Sequence, residues 1–417
     1  MMDILMIAHF TQVPGEEGNG RFHYIAERLV KENVNVEVVT TNFSHRTKKH
    51  RKVSQTQIGD LGYKLTMLHE PGYEKNVSIK RLYSHYVMGR SLKKYLNERS
   101  KPDLIYCAIP SLDVAAIAAK YAKDNQIRFI IDTQDLWPEA FKMVFNVPVL
   151  SDVLFYPMLK RANAVYSAAD EIIAVSQTYV DRAISVNKNV EKGASVYLGT
   201  DLSLFDYLAK ENEFIEKPEN EIWIAYIGTL GHSYDLPSVI DAMRILNDKG
   251  VFNIKLIAMG DGPLRTKFEE YAVDNNVHVA FTGRLDYGKM VGILTMCDIA
   301  VNPIRAGSAG SIINKVGDYA AAGLPVINTQ QCQEYRDLLD KYEAGINCDN
   351  AVDMAEIIVK LYKDKHYRMT MGKNSRKLAE DKFDREVTYK KILDLIAQSS
   401  NTKSIKIRED THDSQGV

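Results

Sequence analysis

Short apolar runs alternate with amphipathic stretches along most of the chain. Runs such as 3–8, 104–108 and 299–304 consist mainly of Ile, Leu, Val and Ala, and their length is typical of strands buried on both faces. The stretches between them place apolar residues at helical spacing, as residues 22–30 do. Strands that alternate with helices in this way predict an α/β fold, with parallel sheets covered by helices.

The apolar pattern weakens in one internal segment, 206–220, which is charged and has no clear period. We predict that it is a linker between an α/β domain at 1–205 and a second α/β domain at 221–384. A length of 417 residues agrees with two domains. Residues 401–417 are polar, and we predict a disordered tail there.

Composition excludes several classes of function. A net charge of −1 gives no reason to expect a nucleic-acid partner. The four cysteines are scattered without a C-x-x-C pair, and the chain has no metal-ligand spacing and no D-x-D motif, so we expect no metal and no cofactor. No apolar run reaches about 18 residues, and the first residues resemble a strand and not a signal peptide, so we expect a cytoplasmic protein.

The segment 298–328 carries the clearest candidate chemistry. Its loop, 305–311, consists almost entirely of small residues after Arg305, and its backbone could approach an anion at the start of the next helix. Ser311, Asn314, Lys315 and Asp318 recur at spacings of three and four, which predicts that they share one helix face. Lys315 could meet a phosphate and Asp318 could accept ribose hydroxyls. The alternative is an ordinary solvated helix face.

The run AAAGLPVI, preceded by Asp318, resembles the nucleotide-sugar signature of retaining GT-B glycosyltransferases, the group 1 enzymes of bacterial capsule and O-antigen synthesis. That signature is Glu-x7-Glu. Here Asp318 stands at the second Glu and Gly310 at the first, while Ser311 and Lys315 match a Ser-x-x-x-Lys variant. The resemblance implies two Rossmann-like domains facing each other across a cleft, with a C-terminal helix at 385–400 that crosses back to the first domain.

The resemblance also implies a donor site. In the family an Arg and a Lys in the loop after residue 227 hold the diphosphate, and both are absent here. Either loop amides and His232 replace them, or Arg305 and Lys315 supply the charge, with Lys315 stabilising the leaving group. The predicted donor-binding residues are Gly20, Gly228, Thr229, Gly231, His232, Arg284, Arg305, Gly310, Ser311, Asn314, Lys315 and Asp318.

A second candidate site follows the predicted strand 128–132, in the run Asp135-Leu-Trp-Pro-Glu139. Two carboxylates beside Trp137 could accept hydrogen bonds from sugar hydroxyls, while the aromatic ring of Trp137 serves as a platform for the sugar. Open α/β sheets bind ligands at the ends of their strands. The alternative, compatible with the first, is a helix start capped by Asp135. DLWPE resembles the acceptor segment of the family, although Gln134 replaces a histidine found in many relatives. The predicted acceptor-binding residues are Asn19, His23, Asp135, Trp137 and Glu139, of which Asp135 would also act in catalysis by orienting the acceptor.

Two stretches bear on membrane contact. Residues 78–101 predict a basic helix with tyrosines on its apolar side, which suits an anionic membrane surface as well as it suits a solvated face packed on the sheet. Residues 141–169 are apolar, and we expect core there, with a second membrane-facing patch as the alternative.

The resemblance implies a retaining, metal-independent hexosyl- or N-acetylhexosaminyltransferase, which moves a sugar from a nucleoside diphosphate, UDP first, to a lipid-linked acceptor in cell-surface polysaccharide synthesis. Such an enzyme would work in the cytoplasm or peripherally on the inner face of the membrane. Two alternatives stay open: a sugar-nucleotide 2-epimerase of the same fold, and a non-catalytic partner in capsule assembly. A dinucleotide oxidoreductase ranks last, because the glycines at 15, 18 and 20 do not form G-x-G-x-x-G after the first strand.

Overall fold

Each of the two units in the chain is built on its own parallel β-sheet. The first unit is Met1–Val196 together with Tyr389–Val417, and the second is Tyr197–Thr388. The computed structural model describes residues 1–16, 20–52, 59, 61–76, 78–144, 150–212, 217–308 and 311–398.

The first unit contains a seven-stranded sheet and a two-stranded hairpin. Its strands are β1 (Asp3–Ile7), β2 (Asn35–Thr41), β3 (Phe43–Ser44), β4 (Lys49–His50), β5 (Lys64–Leu68), β6 (Leu104–Ile109), β7 (Arg128–Thr133), β8 (Glu171–Ala174) and β9 (Ala194–Ser195). The sheet order is β5-β2-β1-β6-β7-β8-β9, and every neighbouring pair is parallel. All six residues of β6 are buried, as the unbroken apolar run predicts.

Helices connect these strands. They are α1 (Arg21–Lys31), α2 (Ile79–Glu98), α3 (Leu112–Asn125), α4 (Glu139–Val144), α5 (Leu150–Ser167) and α6 (Gln177–Ile184). Their apolar stripes cover the sheet; Ile25, Ala26 and Leu29 of α1, for example, pack on Ile4 and Met6 of β1 in one buried cluster.

The second unit contains a six-stranded sheet. Its strands are β10 (Ile222–Ile227), β11 (Ile254–Met259), β12 (Val279–Gly283), β13 (Ile299–Asn302), β14 (Val326–Asn328) and β15 (Gly345–Asn347). Their order is β12-β11-β10-β13-β14-β15, again all parallel. The helices are α7 (Leu202–Glu211), α8 (Leu236–Asp248), α9 (Arg265–Asp274), α10 (Tyr287–Thr295), α11 (Lys315–Ala321), α12 (Gln333–Tyr342), α13 (Ala351–Lys363), α14 (Lys365–Leu378) and α15 (Arg385–Thr388).

Both sheets have the doubly wound order, which confirms the predicted α/β class with two Rossmann-like sheets. In such a sheet the chain order reverses at one point, and ligands bind there, outside the carboxyl ends of the strands. The reversal lies between β1 and β6 in the first unit and between β10 and β13 in the second. These two strand pairs therefore mark where each unit should hold its ligand.

The predicted linker is wrong at its start. Residues 206–211 form the second half of α7, whose Leu202 and Phe205 are buried in the core of the second unit. The charged residues of this segment lie on the outer side of an amphipathic helix, so composition alone suggested a linker. The predicted crossing helix 385–400 is also two helices: α15 belongs to the second unit, and a helix over 390–398, α16, belongs to the first.

Two further expectations change. The helix α5 exposes Val153, Leu154 and Tyr156, each with more than three fifths of its surface accessible, so the expectation of core is wrong for them. None of the helices in the described ranges is long and apolar enough to cross a membrane.

Candidate functional site

In the second unit, the loops after β10 and β11 are packed backbone against backbone. A Cβ on Gly260 would lie 1.8 Å from the carbonyl oxygen of Gly228, and both residues have positive φ, at 151° and 135°. A Cβ on Gly262 would lie 2.3 Å from the carbonyl oxygen of Leu230. Only glycine fits these positions, and their fit fixes the loop after β10 at the point where the strand order reverses.

Two of the four predicted amides in this loop are used within the unit, whereas among the described residues the N–H groups of Thr229 and His232 have no acceptor. Gly228 N–H donates to the carbonyl of Met259 at 2.9 Å, and Gly231 N–H donates to that of Thr229 at 3.1 Å. Both predicted ways to hold a diphosphate, loop amides and charged side chains, therefore stay open.

The ammonium group of Lys315 is the most unusual group at this edge of the sheet. Lys315 is the first residue of α11 and is only 8% exposed. Its Nζ lies 4.1 Å from the ring centroid of Tyr226 and 4.3 Å from that of Tyr234, and a Cβ on Gly228 would lie 3.6 Å away from it. Among the described residues, Nζ has no hydrogen-bond partner.

Burial lowers the pKa of Lys315 well below the usual lysine range. The tyrosine rings stabilise a cation but accept no conventional hydrogen bond from it. The ammonium can therefore donate to an anion placed beside Gly228, and such an anion would favour the charged form.

Asp318 lies one turn after Lys315. Its Oδ1 accepts hydrogen bonds from Thr200 Oγ1 at 3.0 Å and from Tyr287 OH at 2.9 Å. Burial raises the pKa of Asp318 above its ordinary value. Among the described residues, Oδ2 carries no hydrogen bond, so that oxygen is the one that could accept a ribose hydroxyl.

The predicted shared helix face is wrong for two of its four residues. The helix begins at Lys315, with the exposed Asn314 as its N-cap. Ser311 precedes the helix, where its carbonyl accepts a hydrogen bond from Gln330 Nε2 at 2.7 Å. Helical spacing predicted the face correctly from Lys315 to Asp318, but sequence does not show that the chain leaves the helix before Ser311.

The other predicted donor residues lie on loops. The backbone N–H of Arg305 donates to the carbonyl of Ser233 at 3.1 Å, which joins the loop after β13 to that after β10 and brings Arg305 near His232. The side chains of Thr229, His232, Arg284 and Arg305 are exposed. Arg284 follows β12, at the outer edge of the sheet and away from the reversal point. Gly310 lies outside the described residues.

In the first unit, the run from Asp135 to Glu139 is engaged internally. Asp135 accepts from Leu136 N–H at 3.0 Å and from Trp137 Nε1 at 3.1 Å, and burial raises the pKa of Asp135. Glu139 accepts from Arg182 Nε at 2.6 Å. Trp137 is 6% exposed and stacks on His85, with ring centroids 5.8 Å apart, so the predicted aromatic platform is instead part of the buried support.

The remaining first-unit predictions concern the loop before α1. Gly20 has φ 68° as the N-cap of α1, and a Cβ there would meet open space. His23 is hydrogen-bonded through Nδ1 to Tyr63 OH and through Nε2 to the carbonyl of Gln12, which leaves no ring nitrogen for an acceptor in this conformation. Asn19 lies outside the described residues.

Sequence reasoning missed a buried polar group at the reversal point of the first sheet. His9 lies just after β1. Its Nδ1 is hydrogen-bonded to Ser111 Oγ at 2.7 Å, and its Nε2 is hydrogen-bonded to Glu70 Oε1 at 3.1 Å. Ser84 Oγ donates to the other oxygen of Glu70 at 2.8 Å. A histidine just past the first strand was visible in the sequence, but its partners lie 61 and 102 residues away. Within the described ranges, no group of three or more His, Cys, Asp or Glu is arranged to hold a metal ion.

Comparisons with known proteins agree with this architecture. The family model described as "Glycosyl transferases group 1" matches residues 209–378, and the model "Glycosyltransferase Family 4" matches 21–204. Together the two matches cover most of the chain. The capsular polysaccharide biosynthesis glycosyltransferase CapM of Staphylococcus aureus is 23% identical over 309 residues, which are 71% of this chain and 77% of that protein.

A second curated relative covers less. The GDP-mannose-dependent monoacylated alpha-(1-6)-phosphatidylinositol monomannoside mannosyltransferase of Corynebacterium glutamicum is 23% identical over 146 residues, which are 34% of this chain and 38% of that enzyme. Among solved structures, Anabaena HepE in complex with UDP matches with a TM-score of 0.66 at 14% identity, covering 95% of this chain and all of that one. That likeness shows the fold, GT-B. The two family-model matches, together with the likeness to CapM, show that the chain belongs to the group 1 glycosyltransferases.

Proposed function

We propose that this glycosyltransferase is a retaining, metal-independent enzyme that transfers a sugar from UDP to a lipid-linked acceptor in the assembly of a cell-surface polysaccharide. The observation that carries the donor assignment is the buried ammonium of Lys315, which has no hydrogen-bond partner among the described residues and lies beside Gly228. A buried cation without a counter-charge is unfavourable, and a diphosphate placed there would supply the charge.

The same contact would assist the chemistry. The negative charge that develops on the departing diphosphate would meet the ammonium of Lys315 in a site from which water is largely excluded. If the acceptor hydroxyl attacks on the face that the diphosphate leaves, a phosphate oxygen can take its proton, so no separate general base is needed. Oδ2 of Asp318 would accept a ribose hydroxyl, while Thr200 and Tyr287 hold Oδ1.

The choice of UDP is supported by HepE, whose structure contains UDP, whereas the corynebacterial relative is named as GDP-mannose-dependent. The choice of a polysaccharide acceptor is supported by CapM, and that of a lipid-linked one by the phosphatidylinositol substrate in the corynebacterial enzyme's name. Ile79, Leu82, Tyr83 and Tyr86 are exposed on α2 among basic residues, which favours peripheral contact with an anionic membrane on the cytoplasmic side.

The proposal is tested by UDP release from a panel of UDP-sugars in the presence of a bacterial lipid extract and EDTA. We expect release that depends on the extract, persists in EDTA and falls at least about 100-fold in Lys315→Met, which keeps the volume but removes the charge. Lys289→Met is the matched control, because Lys289 is an exposed lysine of the same unit. NMR of the glycosylated product should show the donor's anomeric configuration.

Three results would contradict the proposal. Unchanged turnover in Lys315→Met would remove the donor assignment. Conversion of the UDP-sugar without any acceptor would favour the 2-epimerase. Binding of UDP without turnover on any extract would favour a non-catalytic partner.

A further inference from the structure

A second buried cation, with no carboxylate of the described residues in direct contact, lies at the carboxyl edge of the sheet in the first unit. The guanidinium carbon of Arg81, on α2, lies 4.8 Å from the ring centroid of Trp137, 5.6 Å from that of Tyr73 and 5.8 Å from that of Phe10. Its Nε is buried and has no hydrogen-bond partner among the described residues, and Nη1 donates to the carbonyl of Asn76 at 2.8 Å. The guanidinium is thus held by aromatic faces and one neutral carbonyl, and Tyr73, Asp135 and Glu70 also favour its charge.

Lys48 lies next to it, in the turn between β3 and β4. Its Nζ is 4.8 Å from the centroid of the same Tyr73 ring, and it donates to the carbonyl of His45 and to Asn76 Oδ1. Burial, together with the charge of Arg81, lowers the pKa of Lys48 to about 8. Two cations therefore share one aromatic ring, and each disfavours the charge of the other.

No carboxylate of the described residues is in direct contact with this pair. No carboxylate oxygen there lies within 4.0 Å of either cation, whereas the partly buried Arg51, Arg99 and Arg182 of the same unit each contact at least one.

The nearest acidic groups are occupied by other partners. Glu70 accepts hydrogen bonds from Ser84 and shares one with His9, and Asp135 accepts from Trp137 Nε1. Both carboxylates favour the charged form of Arg81 from a distance, but neither lies within 4.0 Å of its guanidinium. Among the described residues, Arg81 Nε is therefore a buried donor that no carboxylate occupies.

Its place in the fold is that of a ligand site. Phe10 follows β1, Tyr73 follows β5 and Trp137 follows β7, so all three rings lie at the carboxyl edge of the parallel sheet. Open α/β sheets bind ligands at that edge. The cluster also adjoins the run from Asp135 to Glu139, where the acceptor is predicted.

The exposed side of α2 differs in chemistry from the side that carries Arg81. Arg81 shares a face with the buried Ser84, His85 and Met88, as spacings of three, four and seven require. The exposed side of the same two turns carries apolar and aromatic residues: Ile79 is 86% exposed, Leu82 50%, Tyr83 59% and Tyr86 52%. A cationic site and an exposed apolar surface thus lie on opposite sides of the first two turns of α2.

We propose that Arg81 and Lys48 form a binding site for the phosphate ester of the acceptor, with its hydrocarbon chain lying along the exposed residues of α2. The inference rests on the proposed function, because it assigns the lipid-linked acceptor to this unit. The ligand class is a diphosphate or phosphate monoester of a long-chain alcohol. Its anionic oxygens bind the guanidinium and the ammonium, and their negative charge offsets the repulsion between these two cations.

Calorimetric titration with farnesyl diphosphate tests the inference. The full-length protein is first saturated with UDP, so that the donor site is blocked and only a second site can bind the probe. Arg81→Gln and Lys48→Gln should each weaken the affinity about 10- to 100-fold, the loss usual for a charged hydrogen-bonded contact. Arg90→Gln, an exposed position of the same helix, should bind like the wild type.

Two further probes separate head group from chain. Inorganic diphosphate should bind more weakly than farnesyl diphosphate and lose affinity in Arg81→Gln. Ile79→Ser with Leu82→Ser should weaken farnesyl diphosphate but leave inorganic diphosphate unchanged, and farnesol alone should show no dependence on Arg81.

The inference is overturned if the UDP-saturated wild type does not bind farnesyl diphosphate, or if Arg81→Gln binds it as the wild type does. Either result leaves the donor assignment standing, because UDP binding is read in the same experiment. Failure of the protein to bind UDP would instead count against the proposed function. Equal UDP affinity in all variants shows that they are folded.

Discussion

The ammonium group of Lys315 lies 4.1 Å from the centroid of the Tyr226 ring, at the strand end where the second sheet reverses its order. Tyr226 also donates its hydroxyl proton to the carbonyl of Thr229 at 2.8 Å, so one residue holds both the cation and the loop beside it. Cation and loop are therefore fixed before a ligand binds. Preorganised charge of this kind is what stabilises a developing anion in catalysis.

Removing the charge of Lys315 should not destabilise the protein. The buried Nζ has no hydrogen-bond partner among the described residues, so Lys315→Met replaces an amine whose burial is unfavourable in either protonation state by an apolar chain of similar length. We expect a thermal unfolding midpoint equal to or above that of the wild type. A clear drop would mean that the ammonium has a structural partner in the free protein.

UDP binding should be coupled to proton uptake. Between the lowered pKa of Lys315 in the folded protein and its ordinary value of 10.5, the unfolded chain binds a proton that the folded protein lacks, so this group makes the free protein more stable as pH rises. A bound diphosphate raises the pKa of Lys315 again, and the complex takes up a proton. Titration calorimetry at several pH values below 10.5, in buffers of different ionisation enthalpy, should detect this uptake in the wild type and not in Lys315→Met. Equal uptake in both would rule out Lys315 as its source.

Gly317 should be intolerant of alanine although it lies in a helix. A Cβ there would lie 2.8 Å from Thr200 Oγ1, the group that donates to Asp318. Helix propensity alone would make Gly317→Ala stabilising by up to about 1 kcal/mol, whereas the clash should cost roughly 1–3 kcal/mol. Urea unfolding measures the sign. In a Thr200→Ala background the clash disappears, and the cost of Gly317→Ala should shrink or reverse.

The first unit should lose stability in acid through Glu37. Burial raises the pKa of this carboxyl, but hydrogen bonds from Arg99, Thr66, Tyr95 and Lys64 outweigh burial and lower it to about 2. The contribution is fully present above about pH 4.5 and is lost as pH falls toward 2. Glu37→Gln should therefore show a flatter fall in the free energy of unfolding between pH 5 and 3. Parallel curves for wild type and variant would show that Glu37 is not the titrating group.

Features of the fold and the site that depend on residues close together in sequence could be predicted, and those that depend on contacts between distant residues could not. Strands such as β6 and helices such as α1 follow from local apolar patterns, and these were predicted within a few residues. Lys315 and Asp318 were found because they stand close together in a recognisable motif. The sequence does not predict a role for the rings of Tyr226 and Tyr234. A tyrosine in or near a buried strand is typical of the hydrophobic core, and the sequence does not show that Lys315 lies beside these two.

Long-range contacts account for the remaining errors. The sequence predicts that Trp137 is available to a sugar, but residues distant in sequence, such as His85, cover it. The charged segment 206–211 predicts a linker, yet Leu202 and Phe205 anchor its helix in the core. In the sequence, Arg81 is one of several basic residues in 78–101. Its special position depends on three rings that follow three different strands.

The central claim is that the second unit binds a nucleoside diphosphate through Lys315. Calorimetric titration of the full-length protein with UDP, GDP and NAD, on wild type, Lys315→Met and the control Lys289→Met, tests it most directly. We predict that UDP binds the wild type and the control equally, that Lys315→Met loses at least about tenfold in affinity, and that NAD does not bind. Equal UDP affinity in wild type and Lys315→Met would contradict the account.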